Sequence, residues 1–350
     1  MTKAFDLSQW ARPEILGLSP YTSARDAFSD IEGDYTFLDA NENPNPSVVN
    51  RYPDPNQLVL KDKIAALRGC TVNQLLIGNG SDEILDLLFR AFCTPNKDNV
   101  ILMPPTYGMY AVLANINGVG IKEILLTANF QLNTAQILAA VDSNTKAIFF
   151  CSPNNPSGNL FKSSDIEALL NGFDGLVVID EAYIDFTDGP SWLSQLDDYH
   201  NLVVTQTLSK SFGLAGLRLG IAIAQPNIIK LLQNIKPPYN INTLSQQHAI
   251  EALSDIEKVN KQIVELLNER NRLSSYLNEL EWVKTVFPSD ANFLLVRVDD
   301  ANKRYAALLT KKVVVRNRST EANCENTLRI SIGTAHENNE LMAACNTILL

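Results

Sequence analysis

The sequence predicts an α/β protein: a large domain built on a mostly parallel sheet, followed by a smaller α+β C-terminal domain. Two patterns carry this expectation. Between about residues 95 and 225, short runs rich in Val, Ile and Phe alternate with helical segments. Each run is apolar at consecutive positions, as expected of strands buried on both faces of a parallel sheet. Near residue 250 the texture changes to a long amphipathic helix followed by strand-like segments. A length of 350 residues accommodates two such domains.

Taken in order, residues 1–30 read as an irregular arm with a short helical piece, 31–250 as the large domain and 251–350 as the small one. Gly80-Ser81-Asp82-Glu83 opens an apolar-periodic helix carrying Ile84, Leu85, Leu87, Leu88 and Phe92. Strands are expected at 100–103, 147–151, 176–180, 202–205 and 219–224. Ser254-Asp-Ile-Glu257 has the spacing of a capping box. From Ile256 to Leu280, apolar residues then recur three and four apart, with Arg270 interrupting a heptad-like seam. Strands at 292–298, 312–316 and 327–332 and a terminal helix complete the chain.

Composition narrows the function. Lys and Arg number 29 against 39 Asp and Glu, a net charge of −10, which works against a nucleic-acid or anionic-membrane binder. Hydrophobic residues at 45% and charged ones at 19% fit a substantial core and exclude a disordered chain. Five cysteines (Cys70, Cys93, Cys151, Cys324, Cys345) without a C-x-x-C, and three scattered histidines (His200, His248, His336), suggest neither a disulfide scaffold nor a metal site. The N-terminal stretch has no apolar signal region, and no apolar run approaches the ~18 residues of a membrane span. A cytoplasmic protein is expected.

In an open parallel sheet, ligands bind beyond the carboxyl ends of the strands. Three successive strand ends here deliver an amide, a carboxylate with a phenol, and a lysine flanked by hydroxyls. They are Ser-Pro-Asn-Asn-Pro-Ser-Gly (152–158) presenting Asn155, Asp180-Glu-Ala-Tyr183, and the run 208–218 containing Ser209, Lys210 and Arg218. Together they suit pyridoxal phosphate: a Schiff-base lysine, a buried acid for the pyridinium nitrogen, polar groups for the ring hydroxyl, and hydroxyls with an arginine for the phosphate. The helix start at Ser81 adds free N–H groups and partial positive charge for an anion. Singly, each residue has a plainer reading. Asp180 could cap a helix, Lys210 could be a solvated surface lysine and Arg329 could pair with a structural acid. Tyr52 could be loop packing, and Tyr107 and Tyr110 core aromatics with wet hydroxyls.

The runs 152–158, 180–183 and 207–218, in this order, resemble the fold-type-I pyridoxal-phosphate aminotransferases of class II. Within them, the blocks at 18–25, 38–44, 51–55, 104–110, 314–318 and 328–334 resemble the histidinol-phosphate aminotransferases, and the similarity spans essentially the whole chain. The resemblance implies an enzyme that exchanges the amino group between histidinol phosphate and 2-oxoglutarate in histidine biosynthesis, giving imidazole-acetol phosphate and glutamate. Aromatic or broad-specificity transamination, and phospho-amino-acid decarboxylation, are the alternatives on the same scaffold.

Residue by residue, the resemblance implies that Lys210 holds the cofactor aldehyde and moves the substrate proton. Asp180 pairs with the ring nitrogen, Asn155 and Tyr183 contact the ring hydroxyl, and Tyr107 stacks on the ring. Ser81, Asp82, Ser209 and Arg218 surround the cofactor phosphate, which Tyr52 reaches from the neighbouring subunit of a homodimer. Tyr21, Arg316 and Arg329 receive the substrate phosphate or the carboxylates of glutamate. Two departures stand out. Ser157 replaces the usual Thr, and Ser81 occupies a position where Ala is also common, so its side chain is dispensable in this reading.

Overall fold

The computed structural model describes residues 5–19, 21 and 35–348. The arm residues 1–4, 20 and 22–30, and with them most of the block 18–25, lie outside the described residues. Seven strands form the large sheet: β1 (Leu75–Asn79), β2 (Asn99–Leu102), β3 (Gly120–Glu123), β4 (Thr145–Cys151), β5 (Leu176–Asp180), β6 (Leu202–Thr207) and β7 (Leu219–Ala224). Their order is β1-β7-β6-β5-β4-β2-β3. The pairings among β2 to β6 are parallel, whereas β7 runs antiparallel to both β6 and β1. The expected mostly parallel α/β sheet is therefore present. Two strands of this sheet had no sequence expectation. β1 is apolar over only three residues before Gly78, and β3 is a half-exposed edge strand.

Consecutive apolar residues work because alternate side chains enter two different cores. Val100, Phe149, Val178 and Val203 pack on one face with the Ser81–Phe92, Met109–Ile116 and Pro226–Ile235 helices. Ile101, Phe150, Ile179 and Val204 pack on the other, with the Leu58–Arg68 and Ser163–Gly172 helices. Phe5 and Ala11 of the N-terminal segment join the first face beside Phe92, around two short helices, Leu7–Trp10 and Pro13–Leu16.

A second, antiparallel sheet has the order β10-β11-β9-β8, with β8 (Val283–Val286), β9 (Phe293–Val298), β10 (Arg316–Asn317) and β11 (Thr327–Ser331). It packs on its own apolar cluster. The Ile256–Asn278 helix serves two cores: Val259 packs with the large sheet, and Leu273 and Leu277 with the small one. Arg270, which broke the heptad pattern, donates to the backbone oxygens of Ala291 and Phe186 at 2.9 and 3.4 Å.

Two local expectations are corrected. The cap of this helix is Asp255, whose Oδ1 accepts from Lys258 N; the Ser254 hydroxyl is committed to Ile250 O in the preceding helix. The strand expected at 312–316 shrinks to Arg316–Asn317. Lys312, at φ 63°, and Val313 N, donating to Leu308 O, instead close the Ala301–Thr310 helix.

Candidate active site

Parallel pairing aligns Cys151, Asp180 and Thr205 across β4, β5 and β6, so the segments after these strands open at one level. There they line a cavity of ≈ 470 Å³. Eleven of the thirteen sequence-predicted site residues line it: Ser81, Asp82, Tyr107, Asn155, Asp180, Tyr183, Ser209, Lys210, Arg218, Arg316 and Arg329. Tyr21 and Tyr52 do not. Tyr21 is 74% exposed, and Tyr52, 51% exposed, stacks on Tyr239 at 4.4 Å beside a separate surface depression.

Asp180 ends β5 and is buried. Its Oδ2 accepts from Tyr110 Oη at 2.9 Å and its Oδ1 from Ala182 N at 3.1 Å. Burial pushes its pKa up to about 6, while these hydrogen bonds pull the other way. Among the described residues, no cation lies within salt-bridge distance of it. A desolvated carboxylate so placed favours a cationic partner in the cavity.

Lys210 sits in a loop that folds back on itself, with Leu208 N donating to Leu219 O and Gly213 N to Lys210 O. Its amine is 5.6 Å from the Tyr183 ring centroid. It is accessible through the cavity mouth yet hemmed in elsewhere by protein. This desolvation, with the charge of Arg329, lowers its pKa, and Asp180 opposes the change.

Asn155 and Tyr183 are buried side by side, with Asn155 Nδ2 3.5 Å from Tyr183 Oη. Asn155 Oδ1 accepts from Arg329 Nη1 at 2.5 Å. The preceding residue shapes the loop: Asn154 Nδ2 donates to Pro105 O at 3.0 Å and to Ser157 Oγ at 2.8 Å. The second bond uses a hydroxyl that Ser and Thr share, which accounts physically for Ser157.

At the far end, Gly80 (φ +83°) caps the Ser81–Phe92 helix. A Cβ on Gly80 would fall 2.6 Å from Arg218 Nη2, and one on Gly220 would strike Ser81 N at 2.3 Å. Glycine at both positions lets the helix N-terminus pack onto β7 and the Arg218 guanidinium lie against the backbone at Gly80. Arg218 adopts φ 55°, and its Nη2 is 3.9 Å from Asp82 Oδ2. Asp82 Oδ1 accepts from Tyr107 Oη at 3.0 Å. Opposite, Arg316 and Arg329 are cross-strand partners in β10 and β11, and burial lowers the pKa of Arg329.

Three contributors had no functional expectation. Tyr110, read as a core aromatic with a wet hydroxyl, is instead fully buried and bonded to Asp180. Arg318 and Glu321 line the wall beside Arg316. The Arg-x-Arg spacing at 316–318 signals the Arg318 contribution, because residues two apart on an extended chain share a face.

The family model for aminotransferase class I and II matches residues 31–348. A curated histidinol-phosphate aminotransferase of Flavobacterium johnsoniae is 55% identical over 335 residues, covering 95% of this chain and 96% of that protein. The solved histidinol-phosphate aminotransferase of Clostridium acetobutylicum superposes with a TM-score of 0.79 at 25% identity, over 86% of this chain and 91% of that one. That of Sinorhizobium meliloti, solved with pyridoxal-5'-phosphate, shares the fold at a TM-score of 0.79 and 23% identity, over 89% of each chain. The chain belongs to the class I and II aminotransferases and, within them, to the histidinol-phosphate aminotransferase family.

Proposed function

We propose that this chain, with pyridoxal 5'-phosphate, interconverts histidinol phosphate plus 2-oxoglutarate with imidazole-acetol phosphate plus glutamate in histidine biosynthesis. The observation that carries this reading is one cavity joining Lys210, a buried Asp180 with no cation in salt-bridge distance among the described residues, a glycine-built helix N-terminus under Arg218, and two facing arginines. These residues fit the cofactor: the helix N-terminus at Ser81 and the Arg218 guanidinium, both on the cavity lining, offer donors to a phosphate, and Asp180 suits a protonated ring nitrogen. Bound pyridoxal phosphate would supply the electron sink for charge developing on the substrate carbon.

The chain's own groups do the rest. Asp180 holds the ring-nitrogen proton, with Tyr110 and Ala182 N–H keeping the carboxylate charged. The lowered pKa of Lys210 increases its neutral fraction, so Nζ can take a proton from the substrate carbon and return it. Asn155 and Tyr183 orient the ring hydroxyl. Tyr107 covers the ring face. Backbone N–H groups at Ser81 and Asp82, the Ser209 hydroxyl and Arg218 hold the cofactor phosphate. Arg316 and Arg329 offer forked donors to the substrate's anionic groups, and Tyr21 adds a contact from the N-terminal segment.

A homodimer completes the site, with Tyr52 of each subunit reaching the neighbour's cofactor phosphate. The exposed Tyr52–Tyr239 stack, away from this chain's own cavity, supports that arrangement. A cytoplasmic location suits such an enzyme, and among the described residues no helix is long and apolar enough to cross a membrane.

The test is direct: purified protein loaded with pyridoxal phosphate forms glutamate from histidinol phosphate and 2-oxoglutarate. Failure to form glutamate overturns the substrate assignment, and carbon dioxide released from an O-phosphorylated amino acid such as phosphothreonine would favour a decarboxylase.

A further inference from the structure

Arg318 and Glu321 line the cavity wall that carries Arg316 and Arg329, and none of the roles above uses them. Arg318 N donates to Thr327 O at 2.9 Å, so the extended pairing continues one residue past β10. Arg316 and Arg318 therefore leave the same face of the chain. Arg318 Nη1 donates to Glu321 Oε1 at 2.7 Å, which fixes the guanidinium. Arg318 Nε and Glu321 Oε2 remain buried without hydrogen-bond partners, and an unmet buried donor is costly. Three guanidiniums thus meet one carboxylate on this wall. The imbalance is electrostatically unfavourable until an anion enters.

We propose that Arg318, oriented by Glu321, is a specificity-determining residue: it completes an anion subsite for the phosphate monoester of the amino donor and favours it over the side-chain carboxylate of glutamate. This rests on the transamination reading above. Arg316, Arg318 and Arg329 less Glu321 leave a formal excess of two positive charges. A phosphate monoester carries close to two negative charges near neutral pH, whereas a carboxylate carries one. The phosphate also has more acceptor oxygens to meet three forked guanidiniums. Glutamate needs fewer of these donors, so its reaction is less sensitive to the loss of one.

The test compares the wild-type holoenzyme with Arg318→Gln and Arg318→Lys, each checked by thermal melting. Three quantities are read: KM and kcat with histidinol phosphate, kcat/KM for the glutamate half-reaction, and the inhibition constant of inorganic phosphate. Arg318→Gln is expected to raise KM for histidinol phosphate by about 10-fold or more, with kcat and the glutamate reaction changed less than about 3-fold. Phosphate inhibition weakens in parallel, and Arg318→Lys recovers part of each loss. An unchanged KM for histidinol phosphate, or an equal loss with both donors, overturns the proposal. If the wild type fails to use histidinol phosphate, the underlying reading falls instead. Phosphate inhibition of the glutamate half-reaction then still tests the subsite: equal inhibition of wild type and Arg318→Gln overturns it.

Discussion

The Tyr110 hydroxyl donates to Asp180 Oδ2 over 2.9 Å in surroundings almost free of water. The bond joins the Met109–Ile116 helix to the end of β5 and helps keep charged an acid that burial would otherwise neutralise. Tyr110→Phe removes only the O–H, so Asp180 protonates more readily. The acidic limb of the pH–rate profile should move to higher pH, and cofactor affinity at neutral pH should fall about 10-fold. A limb that stays in place would show that the hydroxyl does not hold the charge.

The same acid sets a pH dependence on the cofactor-free protein. Its pKa is raised on folding, from 3.8 to about 6, so the folded chain binds more protons in this window and stability falls as pH rises through it. The loss from this group is of order 3 kcal/mol and is complete above about pH 6. Asp180→Asn removes it. The cofactor-free variant should melt above wild type at pH 8, with the difference closing towards pH 4, while activity falls at least about 100-fold. Equal melting temperatures at both pH values would refute the assignment.

Lys210 alone among the cavity residues combines an accessible amine with a lowered pKa. Lys210→Ala should abolish the visible absorbance of the lysine-bound cofactor together with the activity. Retained turnover without added amine would remove Lys210 from the mechanism.

Gly220 lies under the start of the Ser81–Phe92 helix, where an added Cβ meets backbone that cannot yield cheaply. Gly220→Ala should cost about 1–3 kcal/mol in a chemical melt and weaken pyridoxal phosphate binding at least about 10-fold. Gly216 is the control: a Cβ there meets nothing within 4 Å, and Gly216→Ala should leave both measurements near wild type.

The proposed reach of Tyr52 into the neighbouring subunit's site is open to complementation. Tyr52→Phe should weaken cofactor phosphate binding about 10-fold. Mixed with the inactive Lys210→Ala chain, it should recover wild-type affinity in a fraction of sites, because those pair an intact Lys210 with an intact Tyr52 from the other subunit. No recovery after verified subunit exchange would place Tyr52 outside the neighbouring site.

Much of the core was legible because the physics there is local. Alternation into two apolar faces makes a buried parallel strand read as a continuous apolar run, and β5 and β7 appear at the expected positions. The short β1, the half-exposed β3 and the displaced β10 escaped that rule. Their pairing is decided by neighbours distant in sequence, such as Gly78 opposite Gly220.

The sequence by itself determined the layered α/β plan, the residues delivered at three strand ends, and a resemblance that named the family. Each depends on side-chain periodicity or on motifs a few residues long. Only the tertiary structure decided that Tyr110 serves Asp180, that Arg329 binds Asn155 from 174 residues away, and that Arg318 and Glu321 form a pair on the cavity wall. Those contacts join separate elements, and their energies depend on burial and distance, which no local pattern encodes. The overall charge of −10 illustrates the same division: it spoke against a polyanion partner, yet only the fold shows Lys210, Arg218, Arg316, Arg318 and Arg329 gathered around one cavity.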